Sequence, residues 1–163
     1  MKTAYFAGGC FWCITPSFRA LPGVAEVVSG YSGGAEVNPR YEDVKAQRTG
    51  HRETVAVRYD PERVTYASLL ETFLSGVDPF DAGGQYIDRG ASYTLAVFYG
   101  DESEHAAART ALSRLAAESG KEPCVTLAPF TAFYPAEAYH QNYDLRNPEA
   151  FERELIESGR KKA

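Results

Sequence analysis

The stretch from Gly8 to Cys13, Gly-Gly-Cys-Phe-Trp-Cys, holds the residues of this chain that are best suited to chemistry. It contains two of the three cysteines and the only tryptophan among 163 residues. Thiols three residues apart lie beside each other on a helix face, and this spacing permits a disulfide. If a helix begins at Cys10, its free N–H groups and dipole would lower the pKa of that thiol. We therefore interpret the stretch as a redox site.

Three interpretations of the cysteine pair compete. The two residues can be small buried hydrophobic side chains, since free cysteine is often buried. They can form half of a zinc site, but Cys124, His51, His105 and His140 each stand alone rather than at ligand spacing. The third interpretation is a nucleophilic thiolate with a resolving thiol beside it. It best fits a Cys-x-x-Cys pair that follows two glycines.

The two residues between the cysteines, Phe11 and Trp12, add a further property to the motif. Two adjacent aromatic side chains suggest an apolar wall for a small alkyl group beside the nucleophile. Ordinary core packing is the alternative, and it is the default interpretation for Phe11 alone.

Apolar periodicity and turn residues predict the elements that hold this stretch. Residues 4–7 form a short apolar strand that ends at the glycine pair, and a helix then begins near Cys10 and ends at 21–23. Residues 30–34 and 78–92 are predicted loops, and the length of the second favours a functional role. Further strands are predicted at 24–29, 53–59, 93–99 and 125–127, the last interrupted by Pro129. A short helix that follows the turn at 38–41 and runs through Val44 is also predicted, and longer helices are predicted at 65–76, 101–119, 135–143 and 147–159.

This order of elements, β-α-β-β-α-β-α-β, predicts an α+β fold with two layers. We expect a mixed β-sheet with a ferredoxin-like β-α-β core and helices packed on it. The length favours one domain over residues 1–163.

Composition narrows the functional classes. The net charge of -5 leaves no broad basic surface for nucleic acid, and the basic cluster 160–162 is interpreted as a solvated tail. No apolar run is long enough to cross a membrane, and the first residues do not form a signal peptide. We therefore expect a reducing cytoplasm, where paired thiols are more often catalytic or metal-binding than structural. Cys124, at the start of a predicted strand, is expected to be a buried, inert thiol.

Six blocks of the chain resemble, in the same order, the A class of the peptide-methionine sulfoxide reductases. That family reduces the S epimer of methionine sulfoxide, free or in peptides, to methionine. The resemblance implies an oxidoreductase of protein repair under oxidative stress. The blocks are residues 8–12, 29–34, 38–44, 50–53, 88–93 and 136–143.

The resemblance also implies roles for single residues. Cys10 would be the nucleophile, Phe11 and Trp12 the pocket for the substrate methyl group, and Glu53 the acid that protonates the sulfoxide oxygen. The polar residues that bind the sulfoxide would be Tyr41, Asp88 and Tyr93. From the residues alone, Glu53 would be interpreted as an exposed strand position and Asp88 as a turn residue.

The implied cycle makes a sulfenic acid on Cys10, which Cys13 resolves as a disulfide, and a thioredoxin-type dithiol then reduces it. Many members carry glycine at the position of Cys13 and have resolving cysteines near the C-terminus, so this chain resembles the subgroup with a local Cys-x-x-Cys. Ser92 and Thr94 depart from the Gln and Arg of many members. We expect no metal and no cofactor, and a monomer. A general thiol-disulfide oxidoreductase and a binding module for oxidised methionine remain the alternatives.

Overall fold

A mixed six-stranded β-sheet organises the part of the chain, residues 1–162, that this computed structural model describes. Its strands, together with a separate two-stranded hairpin, are β1 (Lys2–Ala7), β2 (Val24–Ser32), β3 (Arg52–Tyr59), β4 (Gly84–Gln85), β5 (Asp88–Arg89), β6 (Leu95–Tyr99), β7 (Val125–Pro129) and β8 (Phe133–Pro135). The α-helices are α1 (Phe11–Arg19), α2 (Tyr41–Lys45), α3 (Tyr66–Ser75), α4 (Glu102–Ser119), α5 (Tyr143–Arg146) and α6 (Pro148–Glu157).

The order of strands in the large sheet is β7-β6-β1-β3-β2-β8, and β4 and β5 form the hairpin. Neighbouring strands are antiparallel except β6 and β7, which are parallel and connected through α4. The four strands β6-β1-β3-β2, with α1 and α3 as their crossovers, have the ferredoxin-like order. The predicted α+β fold, a mixed sheet with helices packed on it, is confirmed.

Phe6 in β1 joins the sheet to the helices that cover it. Because side chains alternate along a strand, Phe6 faces the main core while Tyr5 and Ala7 belong to the cluster on the other face. The Phe6 ring lies 5.1 Å, centroid to centroid, from both Phe18 of α1 and Phe73 of α3. Full burial of such a side chain stabilises the fold by about 1.5–3 kcal/mol. This packing fixes the end of β1, from which the Gly8–Cys13 stretch begins.

The predicted loop at 30–34 is partly wrong, because β2 continues to Ser32. Residues 30–32 pair with β3 on one side and with β8 on the other, with Gly30 opposite Pro135. The strand β8 is absent from the sequence prediction. It has three residues and ends in proline, which can lie only at a sheet edge or at a strand end.

Other boundaries also differ from the prediction. Pro129 does not interrupt β7 but is its last residue, opposite Tyr99, on the edge strand of the sheet. The predicted loop 78–92 contains the β4–β5 hairpin, and residues 91–93 form a 3₁₀ turn, so the strand expected from Tyr93 begins at Leu95. The helix expected at 135–143 is only a 3₁₀ turn at Ala138–His140. None of the helices in residues 1–162 combines the length and the apolar character that crossing a membrane requires.

The close approach of β2 to β8 predicts that Gly30→Ala destabilises the fold. An added Cβ would clash with the Phe133 ring and would lie 2.5 Å from the Tyr134 carbonyl oxygen. We expect a loss of about 1–3 kcal/mol in the free energy of unfolding, measured by urea denaturation. Gly50→Ala is the control, because its added Cβ would meet no atom closer than 3.4 Å. Equal stabilities of the two variants would contradict the observed pairing of β8 with β2.

Candidate active site

The end of β1 and the beginning of α1 hold the cysteine pair. Gly9, with φ of +83°, turns the chain after β1, and Cys10 is the N-cap residue of α1. Cys13 lies in the first turn, where its N–H donates to the Cys10 carbonyl oxygen at 3.0 Å. Both thiols are free, and they lie close enough to interact with each other. The closeness that we predicted from the Cys-x-x-Cys spacing is therefore present in the fold.

Glu53 of β3 is buried beside this helix terminus, with 2% of its surface exposed. Its Oε1 accepts a hydrogen bond from the Phe11 N–H, at 3.2 Å, one of the N–H groups that have no partner within the helix. Burial raises the pKa of Glu53 to about 8, although the hydrogen bonds from Phe11 and Tyr93 lower it. The carboxyl group is therefore mostly protonated at neutral pH. Its interpretation as an exposed strand residue, which the sequence alone favoured, is wrong.

A cavity of about 330 Å³ opens in front of the cysteines and is formed by segments that are distant in sequence. It is bordered by the first turn of α1, by β3, by α2 and by the segment that carries β5 and the following 3₁₀ turn. All eight predicted site residues lie in its wall, namely Cys10, Phe11, Trp12, Cys13, Tyr41, Glu53, Asp88 and Tyr93. Five other residues, for which no role was predicted, complete the wall: Lys45, Ile87, Glu154, Glu157 and Ser158.

The polar residues of the wall differ in protonation. Burial is the main cause that raises the pKa of Tyr41 and Tyr93 well above the usual tyrosine value, and the negative charge of Glu53 raises both further. Both hydroxyls therefore stay protonated and can donate hydrogen bonds into the cavity. Burial also raises the pKa of Asp88, while the positive charges of Arg160 and Lys45 oppose that shift.

Glu137, which had no predicted role, holds Tyr41 in place. One carboxylate oxygen accepts the Tyr41 N–H at 2.9 Å and the other accepts the Tyr31 hydroxyl at 2.9 Å. Tyr31 is fully buried, so this carboxylate links β2, the start of α2 and the segment that follows β8. The lengthened β2 is thus part of the support of the cavity. In the sequence, the signal for Glu137 was its position within the family-like block 136–143.

Aromatic packing fixes the wall at Phe11 and Trp12. Trp12 stacks on Tyr143 with ring centroids 3.9 Å apart, and both Phe11 and Trp12 contact the His140 ring. His140 is 1% exposed, and its burial lowers the imidazole pKa to about 4, so the ring is neutral. Phe11 is also buried in the main core. Phe11 is therefore part of both the cavity wall and the hydrophobic core.

Cys124 and His51 lie outside the cavity wall. Cys124 is half-buried rather than buried as predicted, and its thiol contacts the Phe80 carbonyl oxygen at 3.6 Å. His51 is buried, with Nδ1 accepting the Gly34 N–H at 3.2 Å and Nε2 donating to the Glu36 carbonyl oxygen at 2.7 Å. These contacts give His51 a structural role in the loop before β3.

The charge of the thiol pair differs from our expectation of a lowered pKa at Cys10. The hydrogen bond with Cys13, burial, and the charges of Glu53 and Asp88 raise the pKa of Cys10. The same hydrogen bond lowers the pKa of Cys13, and the positive charge of Arg160 adds to this effect. The two thiols therefore lose their first proton as a coupled pair, and these influences favour the negative charge on Cys13.

The fold and the cavity together define a thiol-dependent oxidoreductase, in which a cysteine pair, a protonated carboxyl group and two hydroxyl donors face the same small space. Residues 2–163 match the family model described as "Peptide methionine sulfoxide reductase". The chain therefore belongs to the peptide methionine sulfoxide reductase family, as its sequence blocks predicted.

Relatives and solved structures agree with this assignment. The peptide methionine sulfoxide reductase MsrA of Bacillus subtilis (strain 168) is 47% identical over 162 residues, which cover 98% of this chain and 91% of that protein. MsrA 2 of Staphylococcus aureus (strain N315) is 44% identical over 161 residues, or 97% and 90% of the two chains. The methionine sulfoxide reductase A of Corynebacterium diphtheriae superimposes with a TM-score of 0.81 and 29% identity, covering 90% and 75% of the two chains. Reduced Mxr1 of Saccharomyces cerevisiae superimposes with a TM-score of 0.85 and 26% identity, and the match covers 91% of this chain and 86% of Mxr1.

The buried carboxyl group predicts that Glu53→Gln changes how stability depends on pH. In the unfolded chain Glu53 ionises near pH 4.3, whereas in the folded protein its pKa is about 8. Between these values the folded state binds more protons, so the free energy of unfolding falls as pH rises. The variant has no such group. The difference in melting temperature, variant minus unmodified protein, should therefore increase by at least about 4 °C between pH 4.5 and pH 8.

The control for this comparison is Glu62→Gln, which neutralises an exposed glutamate on the surface. Its melting temperature relative to the unmodified protein should stay nearly constant over the same pH range. If the melting-temperature difference for Glu53→Gln were also constant over this pH range, Glu53 would not be a buried protonated carboxyl group.

Proposed function

We propose that the protein reduces the S epimer of methionine sulfoxide, free or in peptides, to methionine. The observation that carries the proposal is the protonated carboxyl group of Glu53 beside the Cys10–Cys13 pair. A sulfoxide oxygen is a poor leaving group until it receives a proton, so a thiol alone is not sufficient. A carboxyl group with a raised pKa can supply that proton at neutral pH.

Substrate orientation follows from the two sides of the cavity. We assign Phe11 and Trp12 to the S-methyl group, because their rings form its apolar wall. Tyr41, Asp88 and Tyr93 are assigned to the sulfoxide oxygen, which two hydroxyl donors can hold as negative charge develops on it. A sulfoxide sulfur carries three different groups and a lone pair, so these two fixed positions, together with the side from which Cys10 attacks, suit only one epimer.

The first step transfers oxygen from the substrate to Cys10. Cys10 passes its proton to the Cys13 thiolate along their hydrogen bond and attacks the sulfoxide sulfur. Glu53 gives its proton to the oxygen of the adduct. The hydroxyl group then moves from the substrate sulfur to the Cys10 sulfur, and the newly formed bond between the two sulfur atoms breaks with its electron pair left on the substrate sulfur. Methionine leaves, and Cys10 becomes a sulfenic acid. The substrate sulfur is reduced by two electrons and Cys10 is oxidised by two.

The second step resets the cysteine pair. Cys13 attacks the sulfur of the Cys10 sulfenic acid, an S–S bond forms, the S–O bond breaks and the hydroxyl group leaves as water. A thioredoxin-type dithiol then reduces the disulfide by thiol-disulfide exchange. One protein with the same fold, Mxr1 of yeast, has been solved in complex with Trx2. The alternative of a general thiol-disulfide oxidoreductase is not favoured, since the chain belongs to the methionine sulfoxide reductase family.

The biological setting is part of the proposal. We infer a protein repair enzyme that acts under oxidative stress in a reducing cytoplasm, as one domain over residues 1–163 and as a monomer, without metal or organic cofactor. Each of the two chemical steps uses only side chains of this chain and the substrate. Size-exclusion chromatography with light scattering tests the monomer.

A stereospecific assay tests the substrate. With a dithiol reductant, we expect the S epimer of methionine sulfoxide to be reduced at least about 100-fold faster than the R epimer. Product methionine is measured by chromatography after each separated epimer is supplied. Cys10→Ser is the control and should give no methionine. Preference for the R epimer, or turnover of neither, would disprove the proposed function.

A single-turnover experiment tests the resolving step. With one equivalent of substrate and no reductant, Cys13→Ser should stop as a sulfenic acid, because no neighbouring thiol can displace the hydroxyl group. Mass spectrometry should then find the mass of one added oxygen atom. Cys124→Ser, the control, should lose two hydrogen atoms as its Cys10–Cys13 disulfide forms. If Cys13→Ser turned over normally with thioredoxin, Cys13 would not be the resolving residue.

A further inference from the structure

The chain turns back toward the cavity after α6. Gly159 has φ of +87°, and the Lys161 N–H donates to the Leu155 carbonyl oxygen at 3.0 Å, which closes the end of the helix. The interpretation of 160–162 as a solvated tail holds for Lys161 and Lys162, which are exposed. It is wrong for Arg160, whose side chain is half-buried.

The Arg160 guanidinium lies between the hairpin and the turn before the cysteines. Its Cζ lies 4.7 Å from the centroid of the Tyr86 ring, at cation–π distance. Its Nη2 lies 2.9 Å from the position that a Cβ on Gly9 would occupy. Glycine at position 9 therefore also leaves room for this guanidinium, immediately before Cys10.

Two donor nitrogen atoms of Arg160 are not used in hydrogen bonds within the described residues. Its Nε and Nη2 are buried and have no hydrogen-bond partner within residues 1–162. A buried guanidinium without partners is costly, and it favours an anion beside it. Among the charged groups with the largest effect on Cys13, Arg160 is the cation, and Asp88 and Glu154 oppose it. The other charged side chains in the wall of the cavity are Lys45 and Glu157.

We propose that Arg160 is a positioning residue of the resolving step, which holds Cys13 as a thiolate ready to attack the oxidised Cys10. The inference rests on the proposed function, since it needs a sulfenic acid on Cys10. In this step the Cys13 thiolate forms the S–S bond and the S–O bond of Cys10 breaks. The departing hydroxide takes up the proton that Cys13 has released to solvent, and water leaves. No further oxidant or reductant takes part.

The position of Arg160 makes it selective for the second step. Its positive charge is among the main causes that lower the pKa of Cys13, whereas the main causes at Cys10 are Cys13, burial, Glu53 and Asp88. The first step depends on the fraction of the protein that carries the charge on Cys10, and Arg160 is not among the main influences on that charge. The second step needs the charge on Cys13. Loss of Arg160 should therefore slow disulfide formation without slowing methionine release.

The experiment separates the two steps in one turnover. Reduced protein is mixed with one equivalent of methionine-S-sulfoxide, and free methionine and the Cys10–Cys13 disulfide are followed by rapid quench and mass spectrometry between pH 5 and pH 9. For Arg160→Gln we expect an unchanged rate of methionine release. Disulfide formation should be about tenfold slower at low pH, because a smaller fraction of Cys13 is ionised without the positive charge, and should approach the normal rate at high pH.

Three variants complete the comparison. Arg160→Lys keeps the charge and should restore most of the rate of disulfide formation. Arg160→Met keeps an unbranched apolar stem against Tyr86 and should be as slow as Arg160→Gln, which separates packing from charge. Lys161→Gln removes one positive charge from the same tail, where it pairs with exposed Glu152, and should change neither rate. Circular dichroism shows which variants are folded, and either Arg160→Gln or Arg160→Met suffices for the test.

The outcomes distinguish the two proposals. If the unmodified protein releases no methionine, the proposed function fails. If it releases methionine and both charge-removing variants form the disulfide at the normal rate and with the normal pH dependence, the role of Arg160 is disproved. An equal slowing of both steps, or a slow rate that persists at high pH, would also disprove it, since either result would indicate a general structural effect.

Discussion

The hydrogen bond from the Phe11 N–H to the Glu53 carboxyl group is the contact on which the cavity depends. It joins the first turn of α1 to a central strand of the sheet, and so it sets the distance between the thiols and the acid. The N–H group has no helical partner and the carboxyl group is buried, so each satisfies the other. The stacked rings around Phe6 hold both elements in this position. The hydrogen bonds from Phe11 and Tyr93 compensate part of the desolvation of this buried acid.

The sequence predicts those parts of the fold that come from local patterns. The strand β3 and the helices α1, α3 and α4 all lie in the windows from which we predicted them. The strand β8 could not be predicted, because its three residues become a strand only by pairing with β2. Residues 30–32 were predicted as a loop rather than a strand for the same reason, because a glycine in a loop and a glycine in a closely paired strand look alike in the local sequence.

The candidate site shows the same division between local and long-range information. The cysteine pair is recognisable because its residues are adjacent in sequence. Glu53 is not, because a glutamate in an alternating strand is ordinarily exposed, and only the covering of both faces of β3 buries it. Family-like blocks pointed to Glu53, Tyr41 and Tyr93, but they said nothing about Arg160, which lies beyond the last block. Its position depends on how α6 ends, and a short basic tail does not predict that.

The placement of both cysteines in the first turn of one helix has a consequence for dynamics. A resolving cysteine on a distant segment must wait for that segment to approach, and loop motions of this kind take nanoseconds to microseconds or longer. Here both thiols belong to the same helical turn and interact with each other, so their approach needs only side-chain rotation, a motion of picoseconds to nanoseconds. The rate of disulfide formation then depends on proton loss and bond formation. The sheet and its helices can remain rigid throughout the cycle.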